Sequence, residues 1–221
     1  MNKLKYLIAA LIGVAALGFQ QAKADTMSFN LIAGNSDISG FAGPYVHVVV
    51  NRTSQTTATV TFTSLTHSGN IYLMGDGGSV GLNVVGSGTF TITGSNSAAG
   101  FTPGPYSGGG AGNEDGFGTF NLTVNSFDGY THSSDQIIVS LTSSSGGWAS
   151  AAAVLFANAG GNLAAAHIFV AAFPANPSAG ALATGFASGV GTPSVPDGGA
   201  TVMLLGAALS ALGMVRRYLK S

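Results

Sequence analysis

The chain has 221 residues, no cysteine, 34 glycines and only 7% charged residues. Without cysteine neither a disulfide framework nor a thiolate metal site can form. Six of the seven cations (Lys3, Lys5, Lys23, Arg216, Arg217 and Lys220) lie at the two ends. Between them Arg52 alone stands against Asp25, Asp37, Asp76, Glu114, Asp115, Asp128 and Asp135, a net charge of −6 that excludes nucleic acid as a partner.

Residues 1–24 read as a secretory signal peptide. Lys3 and Lys5 form a positive start, Leu7 to Phe19 an apolar stretch, and Ala22-Lys23-Ala24 a small-residue cleavage site for signal peptidase. The mature chain then begins at Asp25. Roughly 170 residues remain once both ends are set aside, enough for one domain with its own core.

Residues 25–177 read as an all-β extracellular domain. Polar and apolar residues alternate with period two in four places. Thr57, Thr59, Thr61 and Thr63 alternate with Ala58, Val60 and Phe62. Thr89, Thr91 and Thr93 alternate with Phe90 and Ile92; Thr119, Asn121, Thr123 and Asn125 with Phe120, Leu122 and Val124; Gln136, Ser140 and Thr142 with Ile137, Val139 and Leu141. Such strands bury one face and wet the other, as antiparallel sheets do. Further strands are expected at Phe29–Ala33, Tyr45–Arg52, Ile71–Met74 and Val80–Val85, separated by turns such as Ser68-Gly69-Asn70 and Asp76-Gly77-Gly78. The pattern predicts an antiparallel two-sheet sandwich, jelly-roll or Ig-like.

Two regions depart from this pattern. Ser95 to Gly118 is rich in Gly, Pro and Ser and reads as a long mobile loop, a length that is usually functional or disordered. Trp148 to Ala159 reads as a short helix, with Ser150 as its N-cap and Gly160-Gly161 as its stop. Leu163 to Phe173 reads as a last, fully buried strand. Residues 178–194 read as a flexible linker of small residues.

No catalytic motif is recognisable, and no activity is expected. His47, His67, His132 and His167 are not spaced for a metal site, and His167 reads as a hydrogen-bonded core residue. No cofactor is expected. Asn113, Glu114 and Asp115 form the densest acidic cluster; a solvated loop is one reading, and a calcium site completed by Asp128 or Asp76 the other. Tyr106 and Phe117 flank the same loop. As exposed aromatics they would stack on sugar rings of an extracellular polysaccharide, with Asn113, Glu114 and Asp115 as hydrogen-bonding neighbours.

The tail, residues 195–221, has three parts. Val195-Pro196-Asp197-Gly198-Gly199 comes first, then an uncharged apolar run, Ala200 to Val215, then Arg216, Arg217 and Lys220. A 16-residue helix covers about 24 Å, a little short of a bilayer core of about 30 Å. The basic end keeps the preceding domain outside the inner membrane. This tail resembles the PEP-CTERM family of bacterial sorting signals, in which Val-Pro-Glu-Pro precedes a short transmembrane helix and a basic end. Val195 and Pro196 match, and Asp197-Gly198 in place of Glu-Pro resembles the VPDSG-type variant. The resemblance implies recognition and cutting by an exosortase-like enzyme, then a final position at the cell surface or in the extracellular matrix. Residues Asn158 to Ile168 are also similar to segments of PEP-CTERM proteins, a likeness that carries no activity. The expectation is a structural or interaction protein of the envelope, with a glycan-binding surface module as the alternative.

Overall fold

The computed structural model describes residues 25–190 apart from Asp128. The signal peptide expected at 1–24 and the transmembrane helix expected at 200–215 lie outside the described residues. Among those described, no helix is long and apolar enough to cross a membrane. The strands are β1 (Asp25–Leu31), β2 (Ala33–Gly34), β3 (Val46–Arg52), β4 (Thr57–Ser64), β5 (Thr66–His67), β6 (Asn70–Met74), β7 (Val80–Leu82) and β8 (Gly88–Ser95). They continue with β9 (Ser107–Gly109), β10 (Gly112–Glu114), β11 (Gly118–Phe120), β12 (Leu122–Asn125), β13 (Gln136–Ser143), β14 (Ala164–Ala172) and β15 (Ala183–Gly189).

The all-β expectation holds, and all pairings are antiparallel. One sheet has five strands in the order β1-β3-β4-β13-β8. The larger has the order β2-β15-β14-β7-β12-β9, with β6 joined to β14 and β5; β10 and β11 form a separate hairpin. The Thr-rich alternation of β4 is realised directly: Ala58, Val60 and Phe62 are buried, and the threonines between them are half-exposed. Val48, Val60, Ile137 and Val139 of the five-stranded sheet share one core with Leu82, Val124, Ala166 and Ile168 of the larger sheet. Full burial of each valine, leucine or isoleucine among them contributes about 1.5–3 kcal/mol.

The larger sheet is covered on its other face too. Ile71, Leu73, Phe169 and Ala171 form a second cluster under Phe101, which belongs to the Gly/Pro-rich stretch. The hairpin β10–β11 lies over β7 and β12, with Phe120 against Gly81 and Gly112 against Thr123. This double cover explains the near-continuous apolar run of β14, which is buried on both faces as expected of it.

Three expectations need correction. The stretch Ser95–Gly118 is not a free loop: it ends β8, contributes β9 and β10, and anchors Phe101 and Tyr106 in the protein. The helix expected over Trp148–Ala159 is a single 3-10 turn at Ala151–Ala153. Trp148 is drawn into the core, and Leu155 forms a β-bridge to Val84, which pulls the chain out of helical geometry. The linker expected at 178–194 begins inside the fold, because β15 pairs with β14 from Ala164↔Gly189 to Val170↔Ala183. β14 is therefore not the last strand. Small residues read as a spacer are here the residues that fit a crowded sheet: a Cβ at Gly185 would stand 2.5 Å from Asn35 Oδ1.

Candidate functional site

The acidic segment is divided by strand geometry. Asn113 and Asp115 are exposed, whereas Glu114 between them is fully buried. Its carboxyl lies over the turn before β7 and the strand itself. A Cβ at Gly78 would stand 2.5 Å from Oε2, and one at Gly81 2.9 Å from Oε1, so only glycines leave it room. Gly78 also has φ +69°, a conformation that side chains disfavour. Neither carboxyl oxygen has a hydrogen-bond partner. Burial pushes the carboxyl up to about 8, so it is mostly neutral at pH 7. The three acidic-loop residues thus do not converge on a calcium ion. Of the two further ligands considered, Asp128 lies outside the described residues, and Asp76 Oδ1 accepts from the Gly77 N–H. Among those described, no three His, Asp or Glu side chains form a metal-binding group.

Tyr106 and Phe117, expected as exposed sugar platforms, are both half-buried. The Tyr106 ring is turned inward against the core, and its hydroxyl bonds to Ser134. The backbone carbonyl of Phe117 accepts hydrogen bonds from the Asn158 and Asn162 side chains, which tie the β10–β11 hairpin to the turn before β14. The five residues Tyr106, Asn113, Glu114, Asp115 and Phe117 therefore share a loop region without forming one exposed face.

The histidines hold local structure. His47 Nδ1 lies 2.7 Å from Asn30 Oδ1 on the neighbouring strand. His132 Nδ1 is 2.8 Å from the Thr102 carbonyl and 2.9 Å from that of Gly104, which pins the Gly/Pro-rich stretch. His67 is exposed beside Ser68. His167, on β14, places Nε2 2.8 Å from Thr184 Oγ1 and stacks between Phe169 and Phe186. Burial lowers its pKa, with nearby Asp76 opposing.

The concave feature that reasoning from the sequence missed is a cleft of about 450 Å³ at one end of the core. Its walls are Phe90, Leu122, Leu141 and Trp148, and its rim is the backbone of Gly86–Gly88 and Gly108–Gly110. Trp148 is buried and donates Nε1–H to the Val85 carbonyl at 3.0 Å. Asn121 is likewise committed: its side chain accepts from Val84 N–H and donates to Val84 O. No charged residue lines the cleft. Such a space suits a small neutral ligand with an apolar face. The only hint in the sequence was the glycine run Gly108-Gly109-Gly110, whose bare backbone keeps the mouth open.

Residues 194–219 match the family model of the VPDSG-CTERM motif, a PEP-CTERM-like C-terminal sorting motif. The match takes in Val195 to Gly199, the apolar run and Arg216 and Arg217. No curated protein and no solved structure matches the chain. The motif marks a secreted, surface-sorted protein and implies an exosortase-like enzyme as the partner that reads it.

Proposed function

We propose that this is an exported protein of the cell envelope or extracellular matrix that acts by structural interaction rather than catalysis. The observation that carries the reading is the sorting motif at residues 194–219 following an all-β domain whose last described strand is β15, Ala183–Gly189. In this reading signal peptidase releases the chain at Asp25, the helix at 200–215 holds the precursor in the inner membrane, and an exosortase-like enzyme processes it at Val195–Gly199. Deletion of residues 195–221 should leave the domain folded but absent from its normal surface location. Unchanged surface display of the truncated chain would refute the sorting assignment.

A second reading is favoured by the charge-free cleft: binding of a neutral glycan, with Phe90 and Trp148 as the apolar wall. The contact then lies at Gly108–Gly110 rather than at Tyr106, Phe117 and the acidic residues, and needs no calcium. Gly110→Phe is the test. Gly110 lines the cleft and a Cβ there meets no atom within 4 Å, so a ring can be added at the cleft without a backbone clash. Retention of the exported protein on the host's extracellular polysaccharide should be lost in Gly110→Phe and survive chelation. Retention that is unaffected by Gly110→Phe rules this site out.

A further inference from the structure

Strand β8 ends the five-stranded sheet, with β13 on one side and no strand on the other among the described residues. The register settles which backbone groups face outward. Ser64 N–H donates to Asp135 O across β4 and β13, so Ile137, Val139 and Leu141 bond towards β4. Alternate residues of β13 must then bond towards β8, as the Ser144 N–H to Ser87 O bond shows. Thr89, Thr91 and Thr93 meet those bonds, which leaves the N–H and C=O groups of Gly88, Phe90, Ile92 and Gly94 directed away from the sheet.

This edge lacks the usual guards in its sequence and pairing, although β9 packs beside it with Gly108 against the Phe90 ring. Edge strands are normally shortened, bulged, or guarded by Lys, Pro or inward charges. β8 is eight residues long, pairs without interruption from Gly88↔Ser143 to Ser95↔Gln136, and contains neither charge nor proline. The other sheet ends are short or occupied. β2 and β5 have two residues and β9 three, while β1 packs against the Ala151–Ala153 turn and β15 and has its first residue fixed by the Asp25–Arg52 ion pair. In a domain with one cation and seven acids, no charged residue occurs between Asp76 and Glu114. Two copies therefore meet with least repulsion along β8.

The strand is also its own complement. Gly88-Thr89-Phe90-Thr91-Ile92-Thr93-Gly94 reads the same from either end, except that Phe90 is exchanged for Ile92. We propose that β8 pairs antiparallel with β8 of a second copy about a two-fold axis at Thr91, joining two five-stranded sheets into one of ten. The outward-facing groups of Phe90 then bond with those of Ile92 of the second copy, and Gly88 with Gly94. Phe90 and Ile92 become neighbours on the inner face, an aromatic and β-branched pair. The outer face carries threonine opposite threonine, with Thr91 opposite itself. Both are favourable cross-strand pairs. The interface is isologous, so it closes as a dimer. It goes beyond the sorting and matrix reading and does not depend on it.

The absence of cysteine makes the test direct. Thr91→Cys in the full-length chain introduces a single thiol at the axis. Residues facing each other in a non-hydrogen-bonded antiparallel pair have Cα atoms about 4.5 Å apart, within disulfide reach. Under mild oxidation Thr91→Cys should give a disulfide dimer on the order of a hundredfold faster than the exposed control Ser144→Cys, because pairing makes the reaction effectively intramolecular. Thr93→Cys should cross-link to Thr89→Cys in a mixture and not to itself. Thr91→Lys, on an exposed position that leaves the core intact, should convert a dimer in light scattering to a monomer. Equal cross-linking of Thr91→Cys and Ser144→Cys, cross-linking of the Thr91→Cys chain to a different protein, or a dimer that survives Thr91→Lys would each overturn the proposal.

Discussion

Replacing Glu114 by glutamine should change how stability depends on pH more than stability itself. In the folded chain the carboxyl is buried without a partner and titrates at about 8, against an ordinary value of 4.5. Between those values the unfolded chain has lost the proton that the folded chain still holds. The folded state binds more protons, so stability falls as pH rises. Each pH unit in that window costs up to about 1.4 kcal/mol, a ceiling of about 5 kcal/mol by pH 8. The loss is complete above the folded value and absent below the unfolded one. A buried glutamine keeps the shape and leaves its amide as unsatisfied as the neutral carboxyl it replaces, so that cost largely cancels between the two chains. The assay is urea unfolding of the natural chain and Glu114→Gln at pH 5, 6, 7 and 8. The two should be close in stability at pH 5, and Glu114→Gln should become increasingly the more stable as pH rises to 8. A difference between the two that stays flat across this range would show that Glu114 is not a buried neutral acid, and would sink the account of the β10–β11 hairpin built on it.

Gly81→Ala places a Cβ 2.9 Å from Glu114 Oε1 and 3.1 Å from Phe120 Cδ2; the overpacking should cost about 1–3 kcal/mol. The cost should shrink in a Glu114→Ala background, measured as a double-mutant cycle; strict additivity would contradict the contact. Trp148 is the chain's one tryptophan and is buried, so its fluorescence should shift to the red on unfolding. Trp148→Ala should cost about 3–5 kcal/mol in urea unfolding, and a loss under about 1 kcal/mol would mean that the cleft wall does not depend on it.

The strands β4, β8 and β13 were legible because each must separate a wet face from a dry one, and in a strand that separation is written with period two. The tail was legible because a short apolar run bounded by a motif and by arginines needs no partner to be recognised. Glu114 was not legible. By residue type it reads as solvated, and only the glycines at 78 and 81, more than thirty residues away, make room for it inside. The Gly/Pro-rich stretch was misread for a related reason: the residues of β9 and β10 have no side-chain pattern, so their strand geometry comes from β12 and β11. β15, with its Ala, Gly and Ser, reads as a linker until β14 is beside it.

By itself, then, the sequence determined the class of fold, the acidic but charge-poor character of the middle and the sorting address, because these depend on composition and local periodicity. Only the tertiary structure decided that β15 belongs to the sheet, that a carboxyl is held neutral in the interior, that a cleft opens beside Trp148, and that β8 lies at an edge. Each of these depends on which distant strand stands next to which, and hydrogen-bonded pairing between strands leaves no mark in the residues of either strand alone.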